Sequence, residues 1–172
     1  MKENEIADTI AGWTQAEAAK GKMLPKKGEE IKSELAEGRG TILFDGDGQP
    51  VAYCRYLVWK PDLIEVGGTV VDPDPAADKR RKGVGTKVNL ETITKAHRDF
   101  PKAIIIGLTE NGDSQAMVIK MGGRMKTKTE VDPVLWELCA KPGQECFHLQ
   151  SFPDCPCTPF DLTHLARKEE IR

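Results

Sequence analysis

The sequence predicts an α/β (α+β) fold, a mixed, mostly antiparallel sheet flanked by helices and followed by a Cys-rich C-terminal extension. Three observations predict it. Asp45-Gly46-Asp47-Gly48 separates two apolar runs and marks a hairpin, because Asp-Gly pairs supply the positive φ of a tight turn. Arg80-Arg81-Lys82-Gly83-Val84-Gly85-Thr86 joins a strand-like segment to a helix-like one. Ala103-Ile104-Ile105-Ile106-Gly107-Leu108 is a continuous apolar run of strand length, as expected of a central strand buried on both sides.

In chain order, residues 4–20 are rich in Ala, Glu and Ile and read as a helix interrupted near Trp13-Thr14, where Thr14 caps a second piece. Leu24-Pro25 ends it. A second helix is expected over 28–37, with Ile31, Leu35 and Ala36 facing inward and Gly38-Arg39-Gly40 as its stop. Strands follow over 41–45, 51–59 and 63–71. The last ends at Asp72-Pro73, since Pro73 lacks a donor and pushes Asp72 out of the helical region. Residues 83–99 are helical in composition, and 113–121 read as a short helix closed by Gly122-Gly123. Residues 125–129 and 134–139 are expected to form a closing hairpin. Beyond Ala140 the pattern dissolves, so residues 1–140 are expected to form one domain and 141–172 a Cys/Pro-rich extension.

Composition narrows the function. Hydrophobic residues make up 39% and charged residues 30%, with a formal net charge of -2, which argues against a disordered acidic chain or an electrostatic nucleic-acid binder. No apolar run approaches the roughly 20 residues that span a bilayer, and Met1-Lys2-Glu3-Asn4-Glu5 lacks the apolar core of a secretory signal. The expectation is a cytoplasmic protein acting on a small-molecule or peptide partner, with no nucleic acid and no membrane. A homodimer is the candidate assembly.

The chemistry is concentrated in the glycine loop. Where a strand, a glycine loop and a helix follow one another, unpaired amides at the helix N-terminus meet an anion. Gly83 and Gly85 would let a pyrophosphate approach, and Arg80, Arg81 and Lys82 add charge around it. A dinucleotide fingerprint needs a glycine where Val88 stands, and a P-loop needs Gly-Lys-Ser/Thr at its end; neither is present. A Gly-x-Gly that merely serves a turn is the bland alternative.

Glu65-Val66-Gly67-Gly68-Thr69-Val70-Val71-Asp72-Pro73 followed by Arg80-x-x-Gly83-x-Gly85 resembles the central signature of the GNAT acetyltransferases. Residues 104–108 resemble the next core strand, Asn111 falls in the loop after it, and Ala116 to Gly122-Gly123 resembles the following helix. The resemblance covers roughly residues 63–123. It implies a sheet splayed between the strands ending at Val71 and Leu108, with acetyl-CoA in the gap. Backbone at Thr69, Val70 and Val71 would run beside pantetheine, amides from Arg81 through Gly83, Val84, Gly85 and Thr86 would hold the pyrophosphate, and Asn111 would close the site. The implied activity is acetyl transfer to a primary amine of an amino acid, small amine or peptide. An acyl-CoA-binding sensor or interaction module with little turnover is the alternative.

Glu65 occupies the position where many family members place a carboxylate that accepts the amine proton, and it is the candidate general base. A strand carboxylate paired with a basic neighbour is the competing role. The family's leaving-group tyrosine corresponds here to a position near Val118, which has no hydroxyl. Tyr53 and Tyr56 are alternatives whose commoner role is strand packing, and the general acid stays unassigned.

Of five cysteines, Cys139, Cys146, Cys155 and Cys157 crowd the last quarter of the chain. With His148 they offer enough soft and borderline ligands for a structural zinc, the candidate source of order for a Pro-rich tail. Their spacing departs from a Cys-x2-Cys pair, and incidental cysteines are the alternative.

Overall fold

The computed structural model describes residues 2–74, 83–135 and 156–169. Helix α1 (Glu3–Ala18) runs unbroken through Trp13-Thr14. Thr14 does not cap a second piece: its hydroxyl donates to Ala11 O at 2.8 Å and accepts the Lys26 N–H at 2.9 Å. A residue that satisfies itself inside a helix does not have to end it. Helix α2 (Gly28–Ala36) follows, its first turn closed by Glu30 Oε2 accepting the Lys27 N–H at 2.7 Å. Ile31 is fully buried as expected, but Ala36 is exposed and Glu34 takes the inner position instead. Positions 31, 34 and 35 share a helix face, which turns Glu34 toward the sheet.

Strands β1 (Gly40–Phe44) and β2 (Pro50–Lys60) form the expected hairpin. Asp45 Oδ1 accepts the N–H groups of Asp47 and Gln49 at 3.0 and 2.9 Å, and Gly48 supplies the positive φ, +74°. Strand β3 (Leu63–Val71) pairs antiparallel with β2, and the register changes midway, from Arg55 opposite Gly67 to Tyr53 opposite Val70. The extra residue is a bulge around Gly68, whose φ of +66° a Cβ would strain.

Helix α3 (Val84–Asp99) crosses over to strand β4 (Ile104–Thr109), which pairs parallel to β3. Asn111 then caps helix α4 (Gly112–Met121), its Oδ1 accepting the Asp113 N–H at 2.9 Å, and Gly122 ends it at φ +99°. Strand β5 (Arg124–Met125), strand β6 (Thr158–Asp161) and helix α5 (Thr163–Glu169) complete the described chain. The sheet order is β1-β2-β3-β4-β6-β5, with every neighbouring pair antiparallel except β3 and β4.

The described part of the expected closing hairpin does not form a strand pair with itself. Lys128–Glu130 forms a 3-10 turn, and β5 pairs with β6, Arg124 opposite Asp161 and Met125 opposite Phe160. Residues 136–140 lie outside the described residues. Thr158–Asp161, set apart in sequence as extension, inserts between β4 and β5. Phe160, Leu162, Leu165 and Ala166 are buried with Ile64, Val66, Val88 and Ile105 in the largest core cluster. The apolar area these four remove from water holds this part of the tail to the main sheet.

Candidate active site

Strands β3 and β4 pair only at Leu63 with Ile104, Ile64 with Ile105 and Glu65 with Ile106. Beyond that point they part. Val66 to Val71 stay with β2 on one side, while Gly107 to Thr109 turn to β6 on the other, opposite Phe160, Pro159 and Thr158. Backbone groups of β3 that face away from β2 past this fork have no ladder partner, and a cavity of about 520 Å³ opens there. Glu65, Gly67 and Gly68 line it on the β3 side, and Gly107, Thr109 and Asn111 on the β4 side.

Glu65 lies at the apex of the fork. Trp59 Nε1 donates to its Oε2 at 2.8 Å, and Oε1 makes no hydrogen bond within the described chain. Burial pushes the Glu65 pKa up, with the charge of Arg55 and the Trp59 hydrogen bond offsetting part of the rise. A carboxylate held in this way can take a proton at a pH where an ordinary one cannot.

Four of the expected cofactor residues lie along the same groove. Thr69, Val70, Val71 and Asn111 line a smaller neighbouring cavity, and Thr69 and Asn111 line both. Gly83 caps α3 in the left-handed region at φ +83°, which only glycine adopts at low cost, and Val84, Gly85 and Thr86 form the first turn. In that turn N–H groups have no acceptor within the helix and point out from its end. The small size of Gly85 also serves packing. A Cβ there would stand 3.3 Å from Met117 Sδ and 3.5 Å from Val71 Cγ2, so its missing side chain lets α3 pack against α4 and β3. The Gly85 carbonyl accepts from Asn89 Nδ2 at 2.8 Å, and Asn89 Oδ1 accepts from the Thr69 hydroxyl at 3.1 Å, tying the helix start to β3. Arg80, Arg81 and Lys82 lie outside the described residues.

A ligand with a pyrophosphate and a long thin arm fits these residues. The open turn of α3 suits the anion, and the unpaired edge of β3 beside the splayed β4 suits an amide-bearing arm.

Tyr53 and Tyr56 do not reach the cleft. Tyr53 donates its hydroxyl to Glu34 Oε2, and burial pushes its pKa up. Tyr56 donates to Asp99 Oδ2 at 2.7 Å on the α3 side, its pKa pushed up to about 12, chiefly by burial. Val118 lines the cavity and is buried. His97 packs on α3 away from the cavity lining.

Sequence reasoning missed a buried ionic cluster above the bulge. Glu34 Oε1 pairs with Lys26 Nζ at 2.5 Å and with Arg55 Nε at 3.0 Å, while Tyr53 occupies Oε2. The side chains of Lys26, Glu34 and Arg55 are 12%, 8% and 16% exposed, and all three line the cavity. Burial, then the charge of Arg55, lower the Lys26 pKa, and the Glu34 contacts oppose this. An inner-face position in α2 and a lone basic residue in an apolar strand were the available signals.

Of the cysteines, Cys139, Cys146 and Cys155 lie outside the described residues, as does His148. Cys157 is half-buried against Leu63, Ile106 and Leu135. Among the described residues no three metal-ligating side chains come together.

The parallel β3–β4 pair that splays past Glu65, with a bulge on β3 and a capped glycine turn opening α3, defines the fold of the GNAT N-acetyltransferases. Solved structures bear this out. Rv2747 from Mycobacterium tuberculosis, in complex with CoA and NLQ, superimposes with a TM-score of 0.65 at 17% identity over 92% of this chain and 95% of its own. N-acetylglutamate synthase from Neisseria gonorrhoeae, complexed with coenzyme A and N-acetyl-glutamate, gives 0.62 at 17% identity over 89% of this chain, which spans only 32% of that protein. The ribosomal-protein-S18-alanine N-acetyltransferase from Escherichia coli gives 0.52 at 19% identity, covering 72% of this chain and 73% of its own. At these identities the superpositions show a shared fold. No family model matches the sequence, and no curated protein matches it. No helix among the described residues is long and apolar enough to cross a membrane.

Proposed function

We propose that this chain transfers an acetyl group from acetyl-CoA to a primary amine by direct attack, with Glu65 receiving the amine proton. The observation that carries the proposal is the fork: β3 and β4 separate immediately after the pair Glu65–Ile106, which leaves a desolvated carboxylate beside an unpaired strand edge. Acetyl-CoA would supply the activated thioester; Thr69, Val70 and Val71 would hold its arm, and the amides of Gly83, Val84, Gly85 and Thr86 with Arg80, Arg81 and Lys82 would hold its pyrophosphate. Asn111, which lines the cavity from the β4 side, would border that arm.

Trp59 holds Glu65 Oε2 and leaves Oε1 for the amine or for a water between them. As the N–C bond forms and the C–S bond breaks, the nitrogen's proton passes to Glu65, and backbone N–H groups at the fork stabilise the carbonyl oxygen. The departing sulfur takes its proton from solvent in this scheme, since Val118 has none to give and both tyrosines point elsewhere.

The test is CoA release from acetyl-CoA across a panel of amines, amino acids and short peptides, with the product mass checked. Amine-dependent release with an acetylated product supports the proposal. Calorimetric binding of CoA with no amine-dependent release across the panel overturns it in favour of a binding module.

A further inference from the structure

We infer that the acceptor is a small amine carrying a carboxylate, such as a free amino acid, and that Arg55, backed by Lys26 and Glu34, holds that carboxylate. The inference rests on the acetyl-transfer proposal for the role of the cleft. It arises from a charge imbalance in the wall facing α1 and α2.

Two cations, Lys26 and Arg55, share one carboxylate, and both oxygens of that carboxylate are engaged. Glu34 Oε1 meets both Lys26 Nζ and Arg55 Nε, and Glu34 Oε2 accepts from Tyr53. Arg55 has donors to spare: its Nη1 is buried without a hydrogen-bond partner among the described residues, and its Nε contact with Glu34 at 3.0 Å is an ion pair lacking hydrogen-bond alignment. Burying a charged group with unmet donors is costly unless an anion completes it.

Among the described residues no carboxylate other than Glu34 forms an ion pair with Arg55 that would supply this anion, although the charge of Arg55 acts on Glu65. Glu65 takes its hydrogen bond from Trp59 and makes no ion pair with Arg55 among the described residues. Glu30 is exposed, with Oε2 occupied by the Lys27 N–H. The cofactor's pyrophosphate does not supply it either. Arg55 shares its sheet face with Tyr53, toward α2, whereas the opposite face, carrying Ala52 and Cys54, packs with Val88 of α3.

The floor between clamp and base carries no side chain of its own at Gly67 and Gly68. Glu65 Oε1 lies 3.5 Å from where a Cβ on Gly67 would stand, and Arg55 Nε lies 3.4 Å from where one on Gly68 would stand. Base and clamp therefore flank consecutive glycines at the bulge, with room above them for a small molecule whose amine and carboxylate lie close together. A guanidinium fork suits a carboxylate by geometry as well as charge.

The experiment compares L-amino acids, each with its carboxamide and its decarboxylated amine, by kcat/KM for CoA release. The wild-type chain should favour the acid over the amide by about ten- to a hundredfold, the scale of one charge-assisted hydrogen-bonded contact. Arg55→Gln should bring acid and amide within about threefold of each other, mainly through loss of the acid. Arg55→Lys, which keeps the pairing with Glu34 and the charge but not the fork, should give an intermediate ratio and guards against misfolding of the first variant. Amides, decarboxylated amines or peptide N-termini acetylated as fast as amino acids by the wild-type chain would overturn the inference and leave acetyl transfer standing. An unchanged acid-to-amide ratio in folded Arg55→Gln would also overturn it. If no amine is acetylated at all, calorimetry with N-acetyl amino acids and their amides still reads the clamp: tighter binding of the acid supports it, and equal binding overturns it.

Discussion

Toward α3 and α5 the sheet presents Ala52, Cys54, Ile64 and Val66, packed against Val88, Ile93, Leu162 and Leu165. Toward α1 and α2 the same strands present Tyr53 and Val70 over Ala7, Ile10 and Ile31, and then Arg55 over Glu34 and Lys26. The first face is bound by apolar burial, which is non-directional and tolerates small changes. The second carries charges whose burial is tolerated only while each finds a partner. One sheet thus presents two unlike faces, with apolar burial gathered on the α3 side and the charged residues proposed to meet the acceptor on the α2 side. The β3 bulge is the point where the two meet, because it shifts the alternation of Thr69 and Val70 relative to Glu65 and Gly67.

Breaking the polar face should cost most. Glu34→Ala leaves Lys26 and Arg55 buried without their shared carboxylate and should destabilise the fold by about 3–5 kcal/mol in denaturant melts. A loss no larger than that of a surface substitution would mean that the cluster is solvated and the contrast between the faces is false. Tyr53→Phe keeps the ring and removes the donor to Glu34 Oε2, and should cost about 1–3 kcal/mol, the penalty of a buried acceptor left unmet. On the apolar face Ile64→Val removes one methylene from a fully buried site and should cost about 0.5–1.5 kcal/mol with acetyl-transfer rates unchanged. A rate defect in Ile64→Val larger than its stability loss would show that the apolar face also shapes the cleft.

Much of this architecture was written locally. Strand β3 occupies the residues its pattern predicted, because the turn before it and Asp72-Pro73 after it punctuate the chain at both ends. The α3 start was legible for the same reason, through Gly83. Strand β6 was not: Thr158-Pro159-Phe160-Asp161 is four residues long, carries a proline that argues against an interior strand, and follows a Pro/Cys-rich stretch. Its place is set by tertiary pairing with β4 and β5, where the Pro159 carbonyl still accepts the Lys126 N–H at 2.9 Å. The ionic cluster was hidden for a similar reason. Lys26, Glu34 and Arg55 come from a loop, a helix and a strand, and no spacing along the chain announces that they meet. Glu65 was singled out as a candidate through family resemblance, but its desolvation and its Trp59 partner depend on the strand fork and the β2 register.

The measurement that bears most directly on the proposed chemistry is the kinetics of Glu65→Gln beside its affinity for CoA. The substitution keeps shape and an acceptor for Trp59 while removing the base. Turnover should fall by about a hundredfold to ten-thousandfold with the calorimetric Kd for CoA unchanged. Because burial raises the Glu65 pKa, the wild-type rate should decline as pH falls through that raised value and the carboxylate is protonated, and the variant should lack this limb. Full turnover by Glu65→Gln at neutral pH, with CoA still bound, would contradict the account and reduce Glu65 to a structural partner of Trp59.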